Sequence, residues 1–450
     1  MIPRRLNPFA NLPRGREVWA WGMYDLANQS FQLLVDTLLL VIYFKNVVAP
    51  TPEKGVALWG PMVGAAMLLV VILSPILGAL ADARSWKKPL LIATGLGAVP
   101  LTCALALMEP GMVWQTAALY ITAKLLVGLG ENFLGSFLPE LSTPQTVGKV
   151  SAIGWTMSYI GALLLLGITA IVIWGFNATD PHQWRWIFVL AGAWFLGGMI
   201  PAMVLLHERQ PPATITRDPR QHSLAAITTD SVRGLRQTIR DVRRYRQLVR
   251  FLAVFFVYSL GTNTVIFFLG SIGDSFGFKI GELTLMALVM AATAGAAAAG
   301  AAVFQDRIGH KRLITIVLIV WVVSTLAMAL LSRSSSAVAS ETMRLAIWPL
   351  AGALGLALGG IGTGSRALIG AFTPVAKSGA FFGLWGMVYK FAGVVGPVCF
   401  GLVSGHIGRS TSLFVLCGFF LAGLLLLPWV DDQEGMQDAR GSAIPGDVST

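Results

Sequence analysis

Charged side chains are scarce in this chain. Asp, Glu, Lys and Arg make up 12% of its 450 residues, whereas soluble domains carry about 25%. Hydrophobic residues account for 55%, and the mean hydropathy is +0.70. This scarcity of charge, combined with long apolar runs, excludes an ordinary soluble domain and indicates an integral membrane protein.

Cysteine and histidine are also rare. The three cysteines lie inside apolar runs without metal-ligand spacing, and the five histidines are scattered over loops. The sequence contains no phosphate-binding glycine loop, hydrolase elbow or helical HExxH pattern. We therefore expect no disulfide framework, no metal site, no cofactor, no ATP use and no enzymatic activity.

The charges that are present are mostly basic and confined to particular loops. The net charge of +11 could indicate nucleic-acid binding, but the segregation instead favours contact with an anionic cytoplasmic leaflet. With the N-terminus inside, the outer segments hold few basic residues: Lys45, Lys54, Arg185, Lys279, Arg333, Arg344 and Arg409. We expect both termini to be cytoplasmic.

Apolar segments of about 20 residues, enough to cross a bilayer, recur twelve times. The sequence predicts an all-α polytopic membrane protein with twelve transmembrane helices in two pseudo-symmetric six-helix bundles. The first six predicted spans lie at 24–45, 56–81, 89–108, 113–138, 150–174 and 185–206. The second six lie at 248–271, 281–304, 313–332, 343–369, 380–404 and 411–430.

The connection between the sixth and seventh spans divides the chain. We expect a cytoplasmic segment at 1–23, bundles at 24–206 and 248–430, and a disordered cytoplasmic tail at 431–450. Apolar and basic residues alternate with helical spacing in the linker 207–247, which predicts an amphipathic helix on anionic lipids. A flexible basic linker is the alternative.

An internal repeat supports the division into halves. Five residues recur 230 positions later, around the fifth and eleventh spans: Thr143, Pro144, Trp155, Met157 and Tyr159 match Thr373, Pro374, Trp385, Met387 and Tyr389. The loops containing Asp82 and Asp306 repeat at a similar offset of 224. Two parallel halves of six helices are an established transporter architecture.

The loop sequences carry a family resemblance. Residues 78–90, GALADARSWKKPL, resemble the cytoplasmic loop signature of the major facilitator superfamily, and residues 306–312, DRIGHKR, resemble its second copy. In the first copy, Ala83, Ser85 and Trp86 depart from the usual pattern. The resemblance covers nearly the whole chain and implies the facilitator fold.

Three shorter segments indicate a branch of that superfamily. YDLANQSF at 24–31, FLPEL at 137–141 and the stretch at 365–397 are similar to fungal vacuolar amino-acid effluxers and their bacterial relatives. The resemblance implies amino-acid-like substrates, although the bacterial members largely lack an assigned substrate.

Polar residues inside the first span follow one helical face. Asp25, Gln29, Gln32 and Asp36 are spaced by four, three and four residues, and Asn28 lies among them. A charge at mid-membrane depth costs several kcal/mol, roughly 2.5–3.5 on insertion scales, so such residues usually face a pathway or a partner. We expect Asp36 to be functional, whereas Asp25 could simply cap the helix N-terminus.

Other spans contribute further candidates for substrate or proton binding: Lys124 and Glu131 on the fourth, Tyr258 and Asn263 on the seventh, and Lys390 on the eleventh. The resemblance places the first, fourth, seventh and tenth spans around a central cavity. Charges of both signs there suit a zwitterion and proton coupling. The alternative is that Lys124 with Glu131, and Lys390, form ion pairs that only fix helix packing.

The two loop copies predict a gate. Asp82 is expected at the N-terminus of the eleventh span and Asp306 at that of the fifth, where the helix dipole attracts anions. Arg84 and Arg307 could hold these carboxylates. The alternative is a pair of ordinary basic cytoplasmic loops.

We therefore expect a secondary transporter of a small polar or zwitterionic solute, coupled to protons and monomeric, in a bacterial inner membrane or an organelle membrane. A receptor or assembly factor on a transporter scaffold and an amphiphile or lipid exporter remain alternatives. Substrate, direction and coupling stoichiometry are not readable from the sequence.

Overall fold

The computed structural model describes residues 9, 12–175, 182–183, 185–209, 245–274, 280–334, 341–406 and 409–441. Within these ranges the chain is helical and contains no strand. Span one comprises an α-helix Gly15–Gln29, a π-helix Ser30–Leu39, an α-helical turn Leu40–Tyr43 and a π-helix Phe44–Val48. Spans two to six contain the helices Pro52–Arg84, Lys87–Ala104, Val113–Ser136, Val147–Gly175 and Ile187–Leu205.

The second half continues in the same way. Spans seven to twelve contain the helices Arg246–Asp274, Ile280–Ile308, His310–Ser334, Glu341–Ala371, Ser378–His406 and Arg409–Leu426. Short 3-10 helices lie at Leu105–Leu107, Val375–Lys377 and Leu427–Trp429, and short α-helices at Leu138–Leu141 and Asp432–Gly441. Twelve helices in the described residues are long and apolar enough to cross a membrane, which confirms the prediction of a polytopic α-helical protein.

Large apolar side chains cover much of the helix exterior. Trp114 is 78% exposed, Val303 74% and Ile171 69%. Such exposure would be unfavourable in water, but a lipid environment solvates these side chains because it is as apolar as they are. The outer surface therefore fits a protein embedded in hydrocarbon.

Span one differs from the prediction in its start and in its geometry. The helix begins at Gly15 rather than near residue 24, so Asp25 lies in the third turn and cannot cap the N-terminus. From Ser30 to Leu39 the chain forms a π-helix instead of the expected α-helix. Apolar periodicity detects a helix but does not report a change from i−4 to i−5 hydrogen bonding, which is frequent at functional sites.

Both signature loops turn on a residue with a left-handed backbone. Ser85, at the end of span two, has φ 55°, and Gly309, between spans eight and nine, has φ 91°. The two positions are separated by 224 residues, the same offset as Asp82 and Asp306. Glycine adopts this conformation at no steric cost, whereas serine does not. Ser85 therefore keeps the turn despite departing from the signature.

Two compact units make up the chain, and each takes a segment from the opposite half of the sequence. The first comprises 1–143, 157–241 and 375–387, and the second 144–156, 242–374 and 388–450. The predicted bundles 24–206 and 248–430 therefore differ from the compact units in the first parts of spans five and eleven. Chain order alone does not reveal this exchange, because it depends on which helices pack together.

Small residues allow close helix packing within each unit. In the first unit, a Cβ on Gly161 would collide with the backbone oxygen of Leu26. In the second, a Cβ on Gly359 would collide with the backbone of Ala294, in the alanine-rich stretch of span eight. Such approaches favour helix association in lipid, where hydrophobic burial gives little driving force.

The predicted disordered tail is wrong over its first part, because Asp432–Gly441 form a helix. Asp431 caps this helix through Oδ1, which accepts from Gln433 N and Glu434 N. Gln247 donates to Glu434 Oε2 at 2.5 Å, and Lys311 donates to the Val430 carbonyl at 2.6 Å. These contacts order a sequence whose composition alone indicates disorder. Residues 442–450 and most of the predicted linker helix lie outside the described residues.

Candidate functional site

Asp36 of span one and Lys124 of span four form an ion pair. Lys124 Nζ lies 2.6 Å from Asp36 Oδ1 and 2.5 Å from Oδ2. The Tyr120 hydroxyl also donates to Asp36 Oδ1, at 2.5 Å. The Lys124 side chain is 10% exposed and that of Asp36 is 22% exposed. The site therefore holds a carboxylate with two donors, one of them charged.

Tyr120 was not among the candidates from the sequence. It precedes Lys124 by four residues, so both side chains lie on the same helical face. This spacing was a readable signal. The Trp59 ring packs over Tyr120 with a centroid distance of 4.8 Å, and this aromatic contact fixes the hydroxyl that faces Asp36.

The other polar residues of span one bind partners in the same unit. Gln32 donates from Nε2 to Glu131 Oε1 of span four. Gln29 donates to Ser158 Oγ of span five at 2.6 Å. Spans one and four are thus joined by two contacts in parallel, because Asp36 lies opposite Lys124 and Gln32 lies opposite Glu131.

Asp25 and Asn28 lie on the α-helical part of span one. Asp25 is 9% exposed and Asn28 is 2% exposed. Among the described residues, Asn28 Oδ1 is a buried oxygen that accepts no hydrogen bond. A buried acceptor without a donor is costly.

The candidates of the second unit lie along a row of aromatic rings. Tyr258 and Ser365 share a hydrogen bond of 2.8 Å between their hydroxyls. Phe255 packs edge-on against Tyr258 at 5.4 Å and against Tyr389 at 6.0 Å. Lys390 Nζ lies 5.5 Å from the Tyr389 ring centroid. Asn263 donates to the Ser259 carbonyl at 2.9 Å within its own helix.

Asp82 caps the N-terminus of span eleven within the first unit. Its two oxygens accept from Gly379 N at 2.8 Å and from Ala380 N at 2.7 Å. The N-terminus of a helix carries positive partial charge and unpaired N–H groups, so a carboxylate is favourable there. Lys87 Nζ lies 3.5 Å from Asp82 Oδ1 and adds a full positive charge.

Asp306 makes the equivalent contact in the second unit. It accepts from Gly148 N at 2.7 Å and from Lys149 N at 2.8 Å, at the start of span five. A Cβ at Gly148 would collide with Asp306 and lie 2.9 Å from His310. The glycine therefore lets the helix end approach the carboxylate. The two caps are matching geometric features of the repeat, while their role in gating remains a prediction.

A buried network around Lys87 was missed by the sequence analysis. Lys87 Nζ donates to Glu140 Oε1 at 2.8 Å and to Ser378 Oγ at 2.7 Å. Arg84, which we expected to hold Asp82, places its guanidinium 5.6 Å from the Trp86 ring centroid. A lysine next to the membrane surface looks like an ordinary positive-inside residue, so its burial could not be read from the sequence.

The end of span six joins this network. Glu208 accepts from the backbone N–H groups of Lys87 and Lys88, both at 3.1 Å, and so caps span three. Burial raises the pKa of Glu208 above its ordinary value, against the effect of these two hydrogen bonds. Arg209 donates from its backbone to Glu140 Oε2 at 3.1 Å and from Nη2 to Glu17 Oε1 at 3.2 Å.

Twelve helices in the described residues, each long and apolar enough to cross a membrane, define a polytopic α-helical membrane protein. The structure of XylE, a proton:xylose symporter of the major facilitator superfamily, has this fold, with a TM-score of 0.67 and 14% sequence identity. The match covers 95% of this chain and 98% of that chain. This likeness shows the shared fold.

The sequence assigns the chain to one family within that superfamily. Residues 61–440 match the model of the family described as "Vacuole effluxer Atg22 like", and the chain belongs to this family. An uncharacterized MFS-type transporter of Bacillus subtilis, YxiO, is 24% identical over 424 residues, covering 92% of this chain and 94% of that protein.

A fungal relative aligns over a smaller part. Autophagy-related protein 22-1 of Aspergillus fumigatus is 26% identical over 311 residues, covering 66% of this chain and 50% of that protein. The match thus spans half the length of the fungal protein. Membership of this family identifies the chain as a multi-pass membrane transporter and confirms the family resemblance found in the sequence.

Proposed function

We propose that the chain moves a small zwitterionic organic solute, amino-acid-like in its charges, across the membrane by alternating access coupled to protons. The observation that carries this proposal is the Asp36–Lys124 contact. A lysine and a carboxylate deep in a span are costly unless they are paired, and intramembrane ionisable residues commonly mark ion and substrate pathways. This pair combines a proton acceptor with an anion-binding group.

Lys124 would couple substrate binding to proton binding by exchanging one carboxylate partner for another. The ammonium binds Asp36 while that carboxylate is ionised. When Asp36 takes up a proton, its attraction for Lys124 falls, and the ammonium can bind a substrate carboxylate instead. Release of the substrate restores the pair and expels the proton. Glu131, held by Gln32, is a second candidate for the proton.

The second unit, taken by itself, contains further polar groups that suit a charged solute. Lys390 beside Tyr389, and the hydroxyl of Tyr258, are polar groups along a row of aromatic rings. Aromatic faces attract cations, so Tyr258 and Tyr389 would suit an ammonium group. Asn263 is a further polar candidate on the same span as Tyr258.

The gate and the membrane orientation complete the proposal. Asp82 and Asp306 would each release a helix N-terminus as the protein changes state, with Arg84 and Arg307 as nearby positive charges. Both termini would be cytoplasmic, because few basic residues fall in the outer segments. The similarity over 94% of the Bacillus subtilis transporter's length supports a bacterial inner membrane. We expect a monomer.

Reconstitution tests the proposed function. Purified protein in liposomes should accumulate one or more amino acids when a pH gradient is imposed, and the accumulation should collapse with a protonophore. Asp36→Asn should abolish gradient-driven accumulation, since an amide cannot carry the proton. Glu131→Gln is measured in parallel because either carboxylate could be the proton carrier.

A matched control and two contrary outcomes sharpen the test. Glu109→Gln removes a carboxylate of the same unit outside the spans, and this variant should accumulate substrate like the wild type. If both Asp36→Asn and Glu131→Gln keep wild-type gradient-driven flux, proton coupling through these two carboxylates is wrong. Ligand binding without any flux would favour the receptor alternative, and flux of lipids alone the exporter alternative.

A further inference from the structure

Asn28 presents a buried oxygen that no hydrogen bond within the described residues explains. The residue is 2% exposed, and its Oδ1 finds no donor in the part of the chain that the structure describes. An amide oxygen held in this way is a strong acceptor in a low-dielectric environment, where an unmet acceptor is costly. It therefore fits a bound species that offers a hydrogen-bond donor or a positive charge.

Helical register places Asn28 against span four. Trp21 Nε1 donates to the Leu134 carbonyl of span four at 2.7 Å. Asn28 lies seven residues after Trp21 in the same α-helix, two turns further along the same face. Four residues later, Gln32 donates to Glu131 of span four. Asn28 is thus bracketed by two contacts with that helix.

Two carboxylates belong to the same stretch of spans one and four. Asp25 is one turn before Asn28 on span one and is 9% exposed, and Glu131 is the carboxylate reached by Gln32. A Cβ on Gly130, the neighbour of Glu131, would lie 3.1 Å from the hydroxyl of Tyr24, the neighbour of Asp25. That hydroxyl donates to the Leu91 carbonyl at 3.4 Å. The cluster therefore combines two negative groups with one neutral oxygen acceptor.

This donor set has the chemistry of a hard-cation site. Carboxylate and amide oxygens are ligands of hard metal ions, whereas transition metals favour histidine and cysteine. No group of three or more His, Cys, Asp or Glu residues suited to a metal occurs in the described part of the chain. Calcium takes six to eight oxygen ligands, more than three side chains on two packed helices provide. A monovalent ion fits better.

We propose that Asp25, Asn28 and Glu131 bind a sodium ion, with Asn28 Oδ1 as the neutral ligand. The chain changes from α- to π-helix at Ser30, directly beyond this cluster, and such transitions are frequent at functional sites. A role of sodium in driving transport rests on the proposed function above. Binding itself does not depend on that function and can be measured without any solute.

Thermal unfolding of the purified full-length chain tests sodium binding. Sodium chloride is titrated at constant ionic strength against choline chloride, with potassium chloride in a parallel series. A ligand that binds only the folded state raises Tm in a concentration-dependent manner. We expect sodium to raise Tm and choline to leave it unchanged.

Variants test whether the sodium-dependent rise in Tm depends on the proposed ligands. Asn28→Leu and Asp25→Asn should lower the apparent sodium affinity by at least about 10- to 100-fold, the loss that follows removal of even an indirect partner of a metal ligand. Asn28→Asp keeps an oxygen at the position and should retain the sodium shift. Asn132→Ala is the matched control, because its Nδ2 donates elsewhere, to Ser74 Oγ at 2.7 Å, and its sodium shift should equal that of the wild type.

Each outcome decides the proposal. Equal Tm in sodium and choline across the pH range overturns it, as does an unchanged sodium shift in Asp25→Asn and Asn28→Leu. If Asn28→Leu does not fold, the sodium shifts of Asp25→Asn and Asn28→Asp still decide whether these residues bind sodium. A Tm that responds to pH alone would mean that the carboxyls hold a proton and not sodium.

The failure of this proposal can be separated from failure of the proposed function. Solute flux driven by a pH gradient in sodium-free liposomes, without a sodium shift in Tm, would overturn the sodium site and leave the transport proposal standing. A sodium shift in Tm without flux of any amino-acid-like solute would support the sodium site and overturn the transport proposal.

Discussion

Lys124 Nζ contacts both carboxylate oxygens of Asp36, at 2.6 and 2.5 Å, across 88 residues of sequence. This contact links spans one and four inside the first unit. Under the proposed function, a substrate carboxylate would have to compete with Asp36 for the ammonium group of Lys124.

The pair should contribute to stability as well as to coupling. Asp36→Ala leaves Lys124 as an uncompensated buried charge, and removing one partner of a buried pair costs about 3–5 kcal/mol. The double variant Asp36→Ala/Lys124→Ala should be less destabilised than the sum of the single variants. Unfolding of the four proteins in detergent measures the difference. Strict additivity would mean that the two side chains do not interact.

The capping contacts should matter for transport more than for insertion. Asp82→Ala removes the acceptor for Gly379 N and Ala380 N, and loss of a helix cap costs about 0.5–2 kcal/mol. We expect normal membrane insertion and reduced transport rate for Asp82→Ala and for its counterpart Asp306→Ala. Flux assays normalised to the amount of inserted protein measure this. Unchanged kinetics in both variants would contradict a gating role.

Ser85 adopts a left-handed backbone at a cost in free energy, whereas Gly309 adopts the same backbone without that cost. A non-glycine residue there costs roughly 1–2 kcal/mol, partly offset because glycine loses more entropy on folding, about 0.4–1 kcal/mol. Ser85→Gly should therefore stabilise the protein by about 0.5 kcal/mol, and Gly309→Ser should destabilise it. Denaturation midpoints of both variants test this, and a lower midpoint for Ser85→Gly would refute it.

Two glycines of span five allow a matched test of helix packing. A Cβ at Gly161 would collide with the Leu26 backbone, whereas a Cβ at Gly167 meets nothing within 4 Å. Gly161→Ala should cost about 1–3 kcal/mol through overpacking. Gly167→Ala should be neutral or stabilising by up to about 1 kcal/mol, because alanine favours the helix. Tm in detergent compares them, and equal effects would argue against the close approach.

A surface carboxylate outside the spans should give an acid-side pH dependence. Hydrogen bonds from His182 and Arg185 hold the pKa of Glu109 below its ordinary value. A lowered folded-state pKa contributes stability that is present above the ordinary value, about 4.3, and is lost as the pH falls through the folded-state pKa. Glu109→Gln should slightly lower Tm at neutral pH. It should also reduce the fall of Tm as the pH is lowered into the acidic range.

Removing Arg185, which donates to Glu109, should lower Tm at neutral pH in the same way. Arg185→Gln is expected to resemble Glu109→Gln in its pH profile, because the arginine and the carboxylate contact each other directly. Tm measured from neutral to acidic pH gives both curves. Profiles identical to that of the wild type would mean that this contact does not form in solution.

Much of the fold could be predicted from the sequence. The twelve spans follow from the length of apolar runs, and their predicted limits mostly fall within a few residues of the helices, as for 113–138 against Val113–Ser136. The equivalence of Asp82 and Asp306 followed from their similar surroundings in sequence, and each accepts two backbone N–H groups at a helix start.

The C-terminal tail is a segment for which the composition predicts the wrong structure. Its acidic, polar sequence indicates disorder, yet Asp432–Gly441 are helical because Asp431 caps the first turn and Gln247 holds Glu434. A contact between residues 187 positions apart leaves no local signal. The burial of Lys87 was hidden for the same reason, since its partners Glu140 and Ser378 lie on distant parts of the chain.

The sequence by itself determined the class of protein, the number of spans and the repeat, because each of these depends on local hydrophobicity or on identity at a fixed offset. Only the tertiary structure decided that Asp36 pairs with Lys124 while Gln32 takes Glu131. Residues on one helical face can be read from spacing, but the residue opposite each of them depends on the relative height and rotation of two helices. Packing sets both, and the π-helical segment of span one changes the register further.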